Sequence, residues 1–157
     1  GILSFRGPNI FAGYLNNSEK TKEVFSDDGW FITGDLGRMD EDGFLFIEGR
    51  LSRFSKIGGE MVSHESVEDA ISKLLSKDGH TNDDIICAAT GIEDESKGEC
   101  LVLLSTSEVN SKWLGEELRN KGVPNLWIPK QIKQVKEIPV LGTGKLDLQK
   151  LKELAEA

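Results

Sequence analysis

A glycine-rich loop carries the lysine of this 157-residue chain that is best placed to do chemistry. The segment Leu141–Leu146 reads Leu-Gly-Thr-Gly-Lys-Leu and sets Lys145 just before a predicted helix. Glycines let the backbone approach a ligand closely, and a protonated ammonium suits a phosphate or a carboxylate that attacks one. The segment is not a Walker P-loop. That motif needs glycine where Pro139 stands and a hydroxyl side chain where Leu146 stands. A solvated surface lysine is the alternative, which this segment alone slightly favours.

An acidic side chain at the end of a predicted strand is the second candidate. Asp35 follows Thr33 and Gly34, where its carboxylate could accept hydrogen bonds from both hydroxyls of a ribose. Arg50 ends a later strand after Gly49, and its planar guanidinium could hold ribose oxygens or a phosphate from the same side. An ordinary Asx turn and a surface ion pair are the respective alternatives, and the tripeptide alone favours the turn.

The histidines and cysteines suggest no further site. His64 and His80 lack a partnering nucleophile or metal set, so we expect both to be solvated, and we predict no metal site. Cys87 and Cys100 lie in apolar, strand-like runs without a second pair at metal spacing. We expect buried free thiols, typical of a reducing compartment such as the cytosol.

The composition narrows the class of protein. Nineteen basic against 27 acidic residues give a net charge of −8, which argues against nucleic-acid binding as the main task. No apolar run approaches the roughly 18 residues that a membrane span requires, and no signal-peptide pattern opens the sequence. We therefore expect the chain to be cytoplasmic.

Short strands and turns fill residues 1–51. Alternating apolar runs predict strands at Leu3–Arg6, Gly29–Thr33 and Phe44–Ile47, paired antiparallel. Ser18 is predicted to cap a short helix between the first two strands. The character changes around Gly49–Ser52, where we place a domain boundary.

Residues 52–157 alternate strands with amphipathic helices, as an α/β domain would. The predicted elements are a hairpin of Arg53–Ile57 and Glu60–Val62, a helix capped by Ser63 and running to about Ser76, strands at Ile85–Gly91 and Leu101–Ser105 around an acidic loop Glu93–Glu99, a helix Ser111–Lys121 with Trp113 inward, a strand Ile132–Ile138, and a helix capped by Asp147. The predicted class is α+β: an antiparallel strand-rich region, then a small α/β domain with about three helices on a mixed sheet.

Five motifs, taken in order, resemble the superfamily of AMP-binding, acyl-adenylate-forming enzymes that includes acyl-CoA synthetases, adenylation domains and luciferases. They span nearly the whole chain and are Gly13–Asn16, Gly29–Asp35, Gly43–Arg50, Lys56–Val62 and Gly142–Lys145. The resemblance implies that residues 1–51 end an N-terminal adenylate-binding region and that 52–157 form a mobile C-terminal domain. It also implies a fragment, because such an enzyme must hold ATP, an acid and a thiol.

The resemblance further implies a two-step reaction and a role for each matching residue. A carboxylate attacks the α-phosphate of ATP-Mg²⁺ to give an acyl-adenylate and pyrophosphate, and a thiol then takes the acyl group. The implied roles are Lys145 as the catalytic adenylation lysine, Thr33, Asp35 and Arg50 as nucleotide contacts, Ser52 as the hinge, and Lys56, Gly58, Gly59 and Glu60 as lining of the pantetheine tunnel. Ser52-Arg53 departs from the family pattern, in which Asp or Lys precedes an acidic residue.

Within the superfamily, Arg53–Ser63, Ser96–Glu99 and Gly122–Pro129 are similar to one branch, the bacterial bifunctional acyl-[acyl-carrier-protein] synthetase/2-acylglycerophosphoethanolamine acyltransferases. This similarity implies a fatty acid, the phosphopantetheine of acyl carrier protein as the thiol, and a lysophospholipid handled by a separate acyltransferase domain. The parent would lie at the cytoplasmic face of the bacterial inner membrane.

Two alternatives stay open. A stand-alone fatty acyl-CoA ligase would use the same residues on the thiol of CoA. A non-catalytic docking module would meet an acidic carrier protein with a local basic patch, such as Lys130, Lys133 and Lys136. Because the phosphate-cradling loop and acyl pocket of the family lie outside this chain, we expect the chain alone to be inactive and to bind no cofactor tightly.

Overall fold

A computed structural model describes residues 1–75 and 85–157 of the chain. Within these residues the chain divides into two units, Gly1–Ser52 and Arg53–Ala157. His80 and the predicted helix end at Ser76 lie outside the described residues.

The N-terminal unit is a three-stranded antiparallel sheet with one short helix. Its elements are β1 (Ile2–Phe5), α1 (Ser18–Val24), β2 (Phe31–Met39) and β3 (Leu45–Arg50). The predicted antiparallel pairing is confirmed. β2 is longer than predicted because it pairs on both sides, with β1 at Ser4↔Ile32 and with β3 at Asp35↔Arg50.

The predicted cap of α1 was wrong by one residue. Asn17, not Ser18, is the N-cap, and its side-chain oxygen accepts a hydrogen bond from the Lys20 amide at 2.9 Å. Both residue types cap helices well, so the sequence alone did not separate them. Phe11 packs edge-on against Phe31 with ring centroids 5.1 Å apart, which fixes the loop before α1 to the sheet.

Over its described residues, the C-terminal unit combines a hairpin, a mixed sheet and three α-helices. Its elements are β4 (Phe54–Ile57), β5 (Glu60–Ser63), α2 (His64–Leu75), β6 (Cys87–Asp94), β7 (Gly98–Ser105), α3 (Ser111–Asn120), β8 (Gln131–Gln134) and α4 (Leu148–Glu156). β6 and β7 pair antiparallel, whereas β8 runs parallel to β7. The predicted fold class is confirmed.

Two apolar cores lie on opposite faces of the mixed sheet, because successive strand residues point to opposite sides. The first core joins the hairpin, α2 and α3 to the sheet through Val62, Ile71, Leu118, Ala89 and Leu103 among others. The second joins α4 to the other face through Leu151, Ala155, Ala88, Val102 and Leu104, with Ile138. Cys87 and Cys100 are buried with free thiols, as predicted.

Helix ends follow the capping signals of the sequence. The Ser63 hydroxyl accepts a hydrogen bond from the Ser66 amide at 3.2 Å, and the Asp147 carboxylate accepts one from the Lys150 amide at 3.1 Å. Both predicted caps are confirmed. α3 ends before Gly122, whose φ of 79° is the left-handed conformation typical of a helix terminus.

Three predicted details were wrong. Trp113 is 42% exposed, because Leu114 and Leu118, four residues apart, form the buried stripe of α3 and leave Trp113 beside it. The acidic loop is shorter than predicted, since the ladder of β6 and β7 continues to the pair Asp94↔Gly98. β8 stops at Gln134, and Ile138 reaches the second core from outside a strand.

A buried ion pair fixes the beginning of the C-terminal unit. The side chain of Arg53 is only 8% exposed, and its guanidinium pairs with Glu68 of α2, which is 15% exposed. Arg53 also donates to the Ala89 carbonyl at 3.4 Å, and the Glu68 carboxylate accepts from the Ala89 amide at 2.6 Å. Burial raises the pKa of Glu68, and the hydrogen bonds from Arg53 and Ala89 oppose that rise. The network therefore joins the residue after Ser52 to both α2 and β6.

His64 is buried at 3% exposure, so the prediction that it is solvated was wrong. As the first residue of α2 it turns toward β4, where its Nε2 lies 2.9 Å from the Ser55 hydroxyl. Burial, with the nearby charge of Arg53, lowers the pKa of His64 from 6.5 to about 4. The pair resembles a nucleophile and its base, but Ser55 is 1% exposed and no substrate can reach it.

We expect loss of either partner of the Arg53–Glu68 pair to destabilise the C-terminal unit strongly. Arg53→Leu and Glu68→Leu should each lower the free energy of unfolding by about 3–5 kcal/mol, because each removes the close partner of a buried charge. Glu65, whose Oε1 lies 3.8 Å from Arg53 Nε, is 62% exposed and replaces Glu68 only in part. The double variant should lose much less than the sum of the two. Urea unfolding, followed by tryptophan fluorescence in a Trp30→Phe background, measures this cycle. A strictly additive double variant would contradict it.

We also expect stability to fall in mild acid through His64. Folding lowers the pKa of this imidazole. Its contribution to the free energy of unfolding is therefore complete above pH 6.5 and is lost as the pH falls toward 4. The full difference corresponds to about 3 kcal/mol. Urea unfolding of wild type and His64→Gln at several pH values isolates this effect, since Glu68 and Arg53 are common to both. Parallel pH profiles would show that His64 does not titrate in this window.

Candidate functional site

Asp35 and Arg50 meet across neighbouring strands of the N-terminal unit. They are directly paired in the β2–β3 ladder, and Asp35 Oδ1 lies 2.7 Å from Arg50 Nε. The arginine side chain is 65% exposed and the aspartate side chain 22% exposed. Because both side chains reach solvent on one face, a ligand could contact them together, as the sequence suggested.

Thr33 orients Asp35 from within the same strand. Its hydroxyl donates to the Leu3 carbonyl at 3.0 Å and accepts from the Asp35 amide at 2.9 Å. Gly34, between them, has a φ of 76°, a conformation that favours glycine. The backbone conformation at Gly34 thus places the Asp35 carboxylate, and Thr33 fixes this part of β2 to β1.

Lys145 projects from a closed turn between β8 and α4. The Leu141 amide donates to the Lys145 carbonyl at 2.7 Å, and the Gly144 amide donates to the Leu141 carbonyl at 2.8 Å. An isolated bridge between Val140 and Leu146 closes the base of the turn. Gly144 has a φ of 80°, which favours glycine there. The turn therefore presents an exposed ammonium on a fixed backbone.

The residues expected at a thiol tunnel form one hairpin turn. Ile57 pairs with Glu60 across Gly58 and Gly59, whose φ values of 58° and 90° fit a two-residue turn with both central residues left-handed. Lys56 and Glu60 flank this turn and are exposed. The turn and the Lys145 loop belong to the C-terminal unit, whereas Asp35 and Arg50 belong to the N-terminal unit. Ser52 lies in the 3-10 turn Leu51–Arg53, at the end of the N-terminal unit.

A cavity of about 590 Å³ lies in the C-terminal unit next to this turn. Leu126, which lines it, would lie 3.8 Å from a Cβ at Gly58. Its cationic lining consists of Lys97, Arg119 and Lys130. The sequence does not predict this cavity, because the residues that line it come from separate segments with no common motif.

Ion pairing and burial set the charges around the cavity. A hydrogen bond from Lys130 holds the pKa of Asp94 well below its usual range, and Asp94 raises the pKa of Lys130. Arg119 Nε donates to Asn125 Oδ1 at 3.0 Å. Burial raises the pKa of Cys100, so this thiol stays protonated at neutral pH and is a poor nucleophile.

The basic patch expected at Lys130, Lys133 and Lys136 is not continuous. Lys130 lines the large cavity, whereas Lys136 lines a separate hollow with Lys150. Ile132 packs into the first core, so the side chain of Lys133, its neighbour on β8, points to the opposite face of the sheet.

Residues 1–75 and 85–157 contain neither a metal-binding cluster nor a membrane-spanning helix. Within these ranges no three His, Cys, Asp or Glu side chains group so that they could hold a metal ion. Over the same ranges, no helix has the length and apolar character needed to cross a bilayer.

Several known ligases are similar to this chain. The 2-succinylbenzoate–CoA ligase of Listeria innocua is 32% identical over 154 residues, which are 98% of this chain and 31% of the relative. A long-chain-fatty-acid–CoA ligase of Gallus gallus, ACSBG2, is 47% identical over 113 residues, which are 71% of this chain and 14% of the relative. The chain thus spans less than a third of these relatives. No family model matches it.

Solved structures agree with these relatives. ATP-bound MatB from Rhodopseudomonas palustris superposes with a TM-score of 0.72 at 28% identity, covering 98% of this chain and 30% of that one. The o-succinylbenzoate CoA synthetase MenE from Bacillus subtilis, in complex with the acyl-adenylate OSB-AMP, gives 0.70 at 26% identity, covering 97% and 30%. The chain therefore belongs to the superfamily of AMP-binding, adenylate-forming ligases and corresponds to the C-terminal part of such an enzyme.

Proposed function

We propose that the full-length protein containing this chain is an ATP-dependent acid–thiol ligase. It forms an acyl-adenylate and then an acyl thioester. The observation that carries this proposal is the exposed Lys145 on its closed glycine turn, in a chain similar to solved proteins with bound ATP or acyl-adenylate.

In the first step, an oxygen of the substrate carboxylate attacks the α-phosphorus of ATP, and pyrophosphate leaves. As the new bond forms, the negatively charged carboxylate and the negatively charged α-phosphate oxygens come close to each other. The Lys145 ammonium stabilises that charge, and an interaction made mainly in the transition state accelerates the step. Mg²⁺ bound with ATP would neutralise phosphate charge, and we assign no residue of this chain to it.

The β2–β3 pair provides the nucleotide contacts. The Asp35 carboxylate accepts hydrogen bonds from the ribose hydroxyls, and Arg50, already paired with Asp35, adds a donor fork beside it. Thr33 contributes to the same nucleotide site, where its hydroxyl holds the Asp35 backbone.

In the second step, a thiol loses its proton to solvent and its sulfur attacks the acyl carbon. The bond from that carbon to the adenylate oxygen breaks, and AMP leaves with the oxygen that came from the carboxylate. The path of the pantetheine arm is lined by Lys56, Gly58, Gly59 and Glu60. Between the steps, the C-terminal domain turns about Ser52. Arg53, fixed to Glu68 and Ala89, moves with that domain, so the bond rotations fall at Ser52 and before it.

We further propose that the acid is a fatty acid and the thiol is the phosphopantetheine of acyl carrier protein. A separate domain would then pass the acyl group to a lysophospholipid at the cytoplasmic face of the inner membrane. The similarity to a long-chain-fatty-acid–CoA ligase supports the fatty acid. A stand-alone fatty acyl-CoA ligase is the second candidate, and acyl transfer to carrier protein or to CoA under equal conditions discriminates the two. A non-catalytic carrier-protein docking module is the remaining alternative.

Lys145→Ala in the full-length protein tests the first step. We expect ATP–pyrophosphate exchange with a fatty acid to fall by about 10²–10³-fold, because the charge that develops loses its stabilising donor. Acyl transfer from supplied acyl-adenylate should survive. Lys152→Ala, which removes an exposed lysine paired with Glu156 on α4, is the matched control and should leave exchange unchanged.

Unchanged exchange in Lys145→Ala would contradict this role and favour the docking module. The same assay on the isolated 157-residue chain should give no exchange above background. Exchange by the chain alone would show that it contains a complete adenylation site.

A further inference from the structure

The β4–β5 hairpin depends on other parts of the C-terminal unit for its position. It is a separate two-stranded sheet, and a lone hairpin of this size is marginally stable in water. Two backbone amides, one on the edge of β4 that faces away from β5 and one in the adjoining turn, donate to another part of the unit. The Lys56 amide donates to the Glu99 carboxylate, and the Gly58 amide donates to the Lys97 carbonyl at 2.9 Å. These bonds join the edge to the beginning of β7.

Glu99 thus takes the place of a strand carbonyl. A neighbouring strand would offer main-chain acceptors to both amides, but the chain turns at Gly98, where φ is 81°. Main chain therefore reaches only Gly58, and the side chain of Glu99 reaches Lys56. A carboxylate acceptor makes a stronger hydrogen bond to a backbone amide than a neutral one does.

Gly91 supplies the space that this arrangement requires. A Cβ at Gly91 would lie 1.9 Å from the Ser55 hydroxyl and 3.1 Å from Glu99 Oε1. Its φ is not in the left-handed region, so glycine is required here for space and not for backbone conformation. The hairpin and the carboxylate both pack against this bare stretch of β6.

The charge at position 99 is unfavourable for the sheet itself. Glu99 is paired directly with Glu93 across the β6–β7 ladder, and like charges in that position destabilise a sheet. A glutamine would fill the same space without the repulsion. Glu99 is thus unfavourable in its own ladder, but its carboxylate binds the Lys56 amide of the hairpin. This combination fits a role in holding the hairpin.

We propose that Glu99 is a positioning residue for the thiol step. Its carboxylate holds Lys56, and so sets the place of the Gly58–Gly59 turn relative to the mixed sheet. The inference rests on the proposed function in one respect, namely that this turn lines the path of the thiol. Glu99 acts through the hairpin, so its loss should separate the two half-reactions.

The first test does not depend on activity. Amide hydrogen exchange of the 157-residue chain is compared among wild type, Glu99→Ala, Glu99→Gln and the control Glu95→Ala, which changes an exposed acid in the same turn. The Lys56 amide should exchange about tenfold faster or more in Glu99→Ala, because a hydrogen bond to a charged group is lost. Glu99→Gln should lie between, and Glu95→Ala should match wild type. Unchanged Lys56 exchange in Glu99→Ala would overturn the proposal.

The second test measures both half-reactions in the full-length protein. In Glu99→Ala, kcat/KM for acyl transfer to the thiol should fall by about tenfold or more, since small displacements of a positioning element are costly. ATP–pyrophosphate exchange should stay within about twofold of wild type, and Glu99→Gln should recover part of the transfer rate. A parallel fall in both reactions, or no fall in transfer, would overturn the positioning role. If the wild-type protein showed no ATP–pyrophosphate exchange, the proposed function would be refuted. The amide hydrogen-exchange result would then decide alone whether Glu99 holds the hairpin.

Discussion

The buried pair of Arg53 and Glu68 is the constraint on which the C-terminal unit depends at its beginning. Through Ala89 it joins the first residue of that unit to the sheet, and through Glu68 to α2. Removing one partner of such a buried pair is strongly destabilising, whereas replacing both by apolar residues is often neutral. The residue after the proposed hinge is therefore part of the domain core. The family pattern has an acidic residue at this position, and the structure supplies a reason for arginine here, because α2 provides the partner acid.

The candidate functional residues of the C-terminal unit lie on turns whose backbones are held by hydrogen bonds. Lys145 stands on a turn closed by the Leu141 and Gly144 hydrogen bonds, and the Gly58–Gly59 turn is held by Lys97 and Glu99. Rigid support of this kind keeps a reactive group in position without filling the space that a ligand needs. The N-terminal unit uses a different device, a cross-strand pair of acid and arginine, which suits a face that opens to solvent.

Local signals predicted most of the elements, and long-range contacts account for the failures. Caps at Ser63 and Asp147 and the Gly58–Gly59 turn were predictable, because each depends on residues within a few positions. His64 was misjudged because its partner Ser55 comes from the preceding hairpin, packed against α2 in three dimensions. The motifs predicted candidate site positions, but spacing could not reveal the Glu99 contact to Lys56, which joins residues 43 apart.

The proposed reaction requires that the carboxylate of the substrate becomes bonded to AMP before the thiol arrives. The most direct measurement is to supply the full-length protein with ATP, a thiol acceptor and a fatty acid labelled with ¹⁸O in both carboxylate oxygens, and to analyse the products by mass spectrometry. We expect one ¹⁸O atom in each AMP, because AMP leaves with the oxygen that attacked its phosphorus. Label in inorganic phosphate, or AMP without label, would contradict the adenylate mechanism.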